Sequence, residues 1–377
     1  MCAGVALLLS VAVLIPALHP SEGFPTFVAE LAESGMNVVV IDDGSGPEFA
    51  HIFGLVASIA GATVLTHSHN RGKGRALKTG FQYCLDRTDI DGIVTADSDG
   101  QHTRNDIVAV AAALSNAPIS RSASVLGVRE FDLPSVPRKS AAGNKLTSRV
   151  VQILFGRRFK DTQTGLRGFG RSLIPLMLSV RGDRFEYEMN SLLRLVHDQV
   201  TILEVPIATV YHDIENSQSH FRPVRDSLRI YAVIFKQFFF FTASSLIGSA
   251  ADILLFTLLI NLLFEGDSAA SGVFAATLGA RIGSAVLNFV LNRRAVFSDD
   301  SSRRRGVLRY ATLAVGLVIC STIGVSVLAP LTGGHVVYAK AAIDTVLFVA
   351  SFLIQKRWVF AAKSPRKSTR ASATMVR

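Results

Sequence analysis

The sequence predicts an α/β unit with a mainly parallel sheet, followed by an all-α membrane region of four helices. Two observations carry this. Short apolar runs alternate with amphipathic segments up to about Tyr231, with charges every few residues. From Phe238 to Phe360 four long apolar stretches follow one another. The change in composition between them marks the domain boundary, and 377 residues suffice for two domains with separate cores.

The mean hydropathy of +0.37 is high for a soluble enzyme. Lys and Arg number 39 against 29 Asp and Glu, a net charge of +10. Such an excess calls for polyanionic partners. Much of it flanks the apolar stretches, which favours a lipid bilayer, and no nucleic-acid partner is expected. Cys2, Cys84 and Cys320 are far apart, so neither a disulfide framework nor a zinc site is indicated.

Ala3–Leu18 is apolar enough to resemble a signal peptide, but no basic residue precedes it and Pro16 lies inside it. Val11–Ile15 is expected instead to be a buried strand. Val38–Ile41, Thr63–Leu65, Ile93–Thr95 and Ser124–Gly127 are the next strand candidates, with amphipathic segments such as Gly74–Asp86 between them. In such sheets ligands bind beyond the carboxyl ends of the strands, and the polar residues fall there.

After the second strand comes Asp42-Asp43-Gly44-Ser45, whose carboxylates can accept hydrogen bonds from a base and ribose; Asp-Gly-Ser is also a common turn. Asn70-Arg71-Gly72-Lys73-Gly74-Arg75 combines glycines, a helix start and a point charge on Lys73, which suits an anion but lacks P-loop spacing. The sharpest signal is Thr95-Ala96-Asp97-Ser98-Asp99-Gly100-Gln101-His102. Asp97 and Asp99 at i and i+2, with an oxygen from Gln101, can share Mg²⁺ or Mn²⁺ against substrate phosphates. A calcium loop would need more acidic positions and a downstream Glu.

Arg129, Arg138, Ser140, Asn144 and Arg149 form a basic, polar run suited to phosphate. Thr162, Gln163 and Thr164 can hydrogen-bond sugar hydroxyls, and Glu186 and Glu188 open a further helix as sugar-binding or base candidates. Solvated charges or a structural turn would explain any one of these alone. Arg222, Arg225 and Arg229 are spaced for one helix face at the membrane surface, where a lipid phosphate would emerge.

The apolar stretches run over 238–264, 270–290, 308–331 and 336–354, each near the ~20 residues needed to cross a bilayer. Arg293, Arg294, Arg303, Arg304, Arg305 and Arg309 follow the second, and Lys356, Arg357, Lys363, Arg366, Lys367 and Arg370 follow the fourth. The other two links carry no Lys or Arg, so both termini and the α/β unit are expected in the cytoplasm. Asn288–Phe297 matches Ser351–Phe360 at an offset of 63, which makes the unit a helical hairpin used twice. Arg281 falls on Asp344 at that offset, and the two are expected to pair between hairpins, with Asp252 and Lys340 nearby.

This half resembles the GtrA-like membrane family through Asn-Arg-Arg-Ala-Val-Phe, Gln-Lys-Arg-Trp-Val-Phe and Asp252. The first half resembles family 2 glycosyltransferases of the polyprenyl-phosphate hexosyltransferase type, similar to dolichyl-phosphate mannose synthases. The resemblance covers about residues 11–235 through Ile15-Pro-Ala17, Asp-Asp-Gly-Ser, Gly-Lys-Gly-Arg-Ala-Leu-Lys-Thr-Gly, Asp-Ser-Asp-Gly-Gln-His, Asp-Thr-Gln-Thr-Gly-Leu-Arg-Gly-Phe and Arg-Phe-Glu-Tyr-Glu-Met-Asn. It implies a Rossmann-like GT-A fold, a divalent metal, a nucleotide-sugar donor and inversion at the anomeric carbon. Pro16, Ala17, Asp42, Asp43, Lys73 and Asp97 would then hold the nucleotide-sugar, and Asp97, Asp99 and Gln101 the metal. Arg129, Arg138, Ser140 and Arg222 would bind the phosphate of a dolichyl or undecaprenyl acceptor, with Asp97, Asp99 and Arg129 at the chemistry. Leu18-His19-Pro20 departs from the aromatic, Asn and acidic residues that the family often has there.

The expected organisation is a catalytic domain over 1–235, including a juxtamembrane segment over 216–235. A membrane domain of two hairpins over 236–362 and a basic tail over 363–377 complete it. A homo-oligomer is compatible with this pattern. The rival readings are a hydroxyl-directed transferase making polysaccharide, and a lipid-sugar translocase with a vestigial transferase half.

Overall fold

The computed structural model describes residues 10–117, 119–131, 138–208, 223–262, 270–297, 303–331 and 336–360. The chain forms two units, residues 1–234 and 235–377.

The first unit is built on a seven-stranded sheet: β1 (Val11–Ala17), β2 (Asn37–Asp42), β3 (Ala62–Thr66), β4 (Gly92–Thr95), β5 (Ala123–Arg129), β6 (Arg167–Gly170) and β7 (Thr201–Ile207). Their order is β3-β2-β1-β4-β6-β5-β7. β1, β2, β3 and β4 run parallel, β6 runs antiparallel between β4 and β5, and β7 pairs parallel with β5. All seven residues of β1 are buried, as expected of a strand covered on both faces at the centre of a parallel sheet. Val13, Ile15, Val38, Val40, Val94 and Val125 pack with Phe24, Val28, Ile107 and Leu114 into one core.

The covering helices are α1 (Phe24–Glu33), α2 (Ala50–Ala57), α3 (Lys73–Leu85), α4 (Arg104–Ser115), α5 (Arg138–Phe155), α6 (Ile174–Ser179) and α7 (Glu186–His197). α4 starts at a capping box. The Thr103 hydroxyl accepts from the Asp106 N–H at 3.2 Å, and the Asp106 carboxylate accepts from the Thr103 N–H at 3.3 Å. The five expected strands all form. β6 and β7 were not expected: β6 reads Arg-Gly-Phe-Gly, with no apolar alternation, and β7 carries Pro206, which an edge strand tolerates.

The second unit contains most of α8 (Pro223–Leu262), then α9 (Ala270–Leu291), α10 (Arg303–Leu331) and α11 (Val336–Ile354). Among the described residues, Arg225–Leu259 and Arg305–Leu328 are long and apolar enough to cross a membrane. Their apolar side chains are turned outward; Ile253 is 68% exposed and Leu308 70%.

The sequence repeat is also a structural one. α9 and α11 both end in a π-helical turn, Asn292–Val296 and Gln355–Val359, at equivalent positions. Asn292 Nδ2 donates to Gln355 Oε1 at 3.0 Å, and Phe297 stacks on Phe360 at 5.1 Å between ring centroids. Each pair joins a residue to its own counterpart. Phe289 meets Phe360 and Phe352 meets Phe297, the reciprocal pattern of a two-fold relation.

The expected Arg281–Asp344 pair is not formed. Arg281 lies 3.5 Å from Asp252, whereas Asp344 accepts from Lys340 at 2.8 Å and from the Ser321 hydroxyl at 2.7 Å. Each charge finds its partner within its own hairpin.

Candidate active site

The sheet delivers the site at the carboxyl ends of β1, β2 and β4. A cavity of about 730 Å³ opens there, lined by Pro16, Ala17, Leu18 and His19 after β1, Asp43 after β2 and Asp97, Ser98 and Asp99 after β4. Asn70, Gly72 and Lys73 add the start of α3, and Arg184 and Phe185 the approach to α7. Arg225, Asp226 and Arg229 of α8 complete the wall.

Gly72 precedes α3 with φ +100, a backbone that favours glycine, and a Cβ there would run into the Asp183 carbonyl and Arg184 Cγ. The 182–184 segment is tied to α3 in return: Lys78 Nζ donates to the Gly182 carbonyl at 2.7 Å and to Asp183 Oδ1 at 3.1 Å. Asp43 fastens the same loop. Its Oδ1 is hydrogen-bonded to His67 Nδ1 at 2.7 Å and accepts from the Arg71 N–H at 3.0 Å, and its Oδ2 accepts from the Gly72 N–H at 2.7 Å. The helix N-terminus and Lys73 are thereby aimed into the cavity.

Lys73 Nζ lies 2.6 Å from Asp97 Oδ1 and 3.0 Å from Glu188 Oε1. His102 Nε2 stands 3.5 Å from the other Asp97 oxygen. Burial alone would raise the Asp97 pKa, but the Lys73 ammonium and His102 hold it well below the usual carboxylate range. Asp99 shifts the opposite way: burial first, and then the charge of Asp97, raise it. Lys73 is held firmly protonated; burial opposes this, and Asp97 and Glu188 overcome it.

Gly165 makes the close approach to Asp97 possible, because a Cβ at that position would overlap the carboxylate. Its carbonyl accepts from the Thr95 hydroxyl at 2.8 Å, which ties the 161–166 loop to β4.

This donor set fits a hard divalent cation. Two carboxylates, Asp97 and Asp99, share one cavity wall, the oxygen chemistry such a cation takes. Gln101 gives its backbone N–H to Asp99 Oδ1 at 3.1 Å.

Of the sequence-predicted residues, Pro16, Ala17, Asp43, Lys73, Asp97 and Asp99 line the cavity together. Asp42 is buried behind it, accepting from the Ser45 N–H at 2.8 Å. Arg129 donates through Nε and Nη2 to the two oxygens of the buried Asp161, at 2.7 and 3.2 Å. Thr162 shares the side chain of Asn144, and the Thr164 hydroxyl accepts from the Leu166 N–H, so both build the loop; the Gln163 side chain is exposed. Glu186 accepts from the Asp183 and Arg184 N–H groups ahead of α7, while Glu188 holds Lys73. The side chains of Arg138 and Ser140, and all of Arg222, lie outside the described residues.

Sequence reasoning missed His19, His67 and the ion pairing of Lys73. His19 has φ +48, unusual for a side-chain-bearing residue, stacks on Phe49 at 4.8 Å and donates its N–H to Ser45 Oγ at 3.0 Å. Its departure from the family pattern was the one available signal.

Residues 12–158 match the family described as Glycosyl transferase family 2, and residues 240–360 match the GtrA/DPMS, transmembrane domain. Three relatives are similar over the first half. A UDP-N-acetylglucosamine–dolichyl-phosphate N-acetylglucosaminyltransferase of Methanococcus voltae is 26% identical over 52% of this chain and 84% of its own. A dolichyl-phosphate beta-glucosyltransferase of Saccharomyces cerevisiae is 23% identical over 51% and 62%. An undecaprenyl-phosphate 4-deoxy-4-formamido-L-arabinose transferase of Enterobacter sp. (strain 638) is 28% identical over 45% and 51%. Among solved structures, glucosyl-3-phosphoglycerate synthase from Mycobacterium tuberculosis with UDP aligns at a TM-score of 0.46 and 18% identity, over 60% of this chain and 79% of that one.

Proposed function

We propose that this chain, which is a family 2 glycosyltransferase joined to a GtrA/DPMS transmembrane domain, moves a hexose from a nucleotide-sugar to a polyprenyl phosphate. The observation that carries the reading is the gathering of Asp97, Asp99, Lys73 and the α3 N-terminus on one cavity that Arg225 and Arg229 also line. The named relatives act on dolichyl or undecaprenyl phosphate, which supports a phosphate acceptor here. The donor is of the GDP-mannose or UDP-glucose type.

In this reading the nucleotide enters along Pro16, Ala17 and Asp43, with its diphosphate against the α3 N-terminus and Lys73. Mg²⁺ or Mn²⁺, which Asp97, Asp99 and Gln101 would hold, supplies positive charge against the departing diphosphate. The acceptor phosphate is already ionised near neutral pH, so neither Glu186 nor Glu188 is required as a base. Alignment does the rest. A phosphate oxygen forms its bond to the anomeric carbon as the carbon–diphosphate bond breaks on the opposite face, which inverts the configuration and releases the nucleoside diphosphate.

Arg225 and Arg229 line the cavity and offer cationic groups to the incoming phosphate, Arg229 from a 3.2 Å pairing with Asp226. Arg222, Arg138 and Ser140 are further candidates; Arg129, held by Asp161, is not among the cavity-lining residues. The chain is a membrane protein, with four spans and both termini in the cytoplasm under this proposal.

The test is to incubate membranes carrying the chain with labelled GDP-mannose, UDP-glucose or UDP-N-acetylglucosamine and a polyprenyl phosphate, with and without Mn²⁺. Labelled lipid from one donor, dependent on Mn²⁺, is the expected result. Its absence with every donor contradicts the proposal.

A further inference from the structure

Two demands meet on Asp97. It is one of the two carboxylates suited to the cation, yet its Oδ1 is held 2.6 Å from the Lys73 ammonium. The same ammonium is braced from the far side by Glu188, at 3.0 Å, and packs 5.8 Å from the centre of the Phe185 ring. A divalent cation on that oxygen would stand beside a fixed positive charge, in a site where the Lys73 side chain is only 17% exposed and screening is weak. Lys73 and the cation therefore compete for Asp97.

Lys73 has somewhere else to go. It is the first residue of α3, at a helix start that lines the cavity through Gly72 and Lys73, and its four-carbon stem is flexible. A diphosphate bound there offers the ammonium new acceptors and offers the cation further oxygens.

We infer that Lys73 is the internal counter-ion of the cation site: it occupies Asp97 while the donor is absent and passes to the donor diphosphate when the cation takes its place. Cation and donor then bind as a coupled pair. By linkage the donor tightens the cation by the same factor as the cation tightens the donor. Lys73 acts here as a positioning residue on the cation through Asp97, and Glu188 keeps it poised. The inference rests on the transferase reading only for the identity of the diphosphate.

The test measures Mn²⁺ binding to the full-length chain in detergent, from the electron paramagnetic signal of free Mn²⁺, with and without UDP or GDP. Lys73→Gln is expected to bind Mn²⁺ about tenfold more tightly than the parent when no nucleotide is present, and to lose most of the tightening that nucleotide brings. Lys73→Arg, which keeps the charge, is expected to retain the coupling. If Lys73→Gln binds Mn²⁺ no more tightly than the parent, the inference is overturned.

A second measurement needs no variant. Saturating Mn²⁺ without nucleotide should raise the labelling of Lys73 by an amine reagent, read by peptide mass spectrometry, because the ammonium has been displaced from Asp97. Unchanged labelling also overturns it. Sugar transfer by the parent protein is scored in parallel, so a failed counter-ion role with intact transfer is told apart from failure of the transferase reading.

Discussion

Asp97 and Asp99 stand one residue apart in sequence and side by side on the cavity wall, yet their environments push their proton affinities in opposite directions. Asp99→Asn is expected to lower transfer on the order of a hundredfold or more while leaving folding and insertion intact, checked by labelled-lipid yield beside a thermal melt. Gly165→Ala tests the same carboxylates from behind. Its Cβ overlaps the Asp97 side chain, so the carboxylate must move, and a loss on the order of a hundredfold in kcat is expected together with a lowered Tm, since the close pairing with Lys73 is disturbed.

At this scale the Asp97–Gln101 motif was legible because strand, turn and carboxylates are contiguous. The work of Asp43 was not. Its oxygens are taken up by His67 and the Arg71 and Gly72 N–H groups, contacts 24 to 29 residues away in the chain. Thr162 and Thr164 show the converse, since hydroxyls suited to a sugar are used within the loop instead.

Among the elements, the loop into α3 depends most on one backbone conformation. Gly72→Ala places a Cβ against the Asp183 carbonyl at φ +100 and is expected to cost about 1–3 kcal/mol, read as a lower Tm together with weaker nucleotide binding. The cap of α4 is a milder case. Thr103→Ala removes one half of the capping box and should cost about 1 kcal/mol with no effect on nucleotide binding, since Thr103 does not line the cavity.

The five parallel-type strands were readable from apolar runs bounded by turn residues, but β6 was not. Arg167–Gly170 is a strand because Phe169 and Gly168 meet Ile93 and Val94 across an antiparallel register, a tertiary pairing that local pattern does not encode. Arg167 illustrates the cost of such a strand: its buried guanidinium donates to the Thr164 and Glu188 carbonyls.

Over the whole molecule, sequence and structure agree best on the duplication. The 63-residue offset between Asn292 and Gln355 reappears as a hydrogen bond between them, and the offset between Phe297 and Phe360 as a ring stack. What the offset could not reveal was the choice of ion-pair partners, because Arg281 and Asp344 occupy equivalent places yet each pairs within its own hairpin. Replacing Asn292 with Leu removes the donor to Gln355 Oε1 in a buried setting, while Gln355 Nε2 keeps the Ser351 hydroxyl, and should destabilise the membrane unit by about 1–2 kcal/mol. Asn292→Gln, which keeps an amide, should lose less when both are compared by unfolding in detergent. The proposed function makes one demand on the acceptor, that it be a lipid phosphate.

Acceptor choice therefore tests the account most directly. Purified chain in detergent, given its labelled donor, would be offered a polyprenyl phosphate and, separately, the same polyprenol without its phosphate. The account predicts labelled lipid from the phosphate alone, with one nucleoside diphosphate released per sugar transferred. Equal transfer to the alcohol, or nucleoside diphosphate released with no labelled lipid, would contradict it.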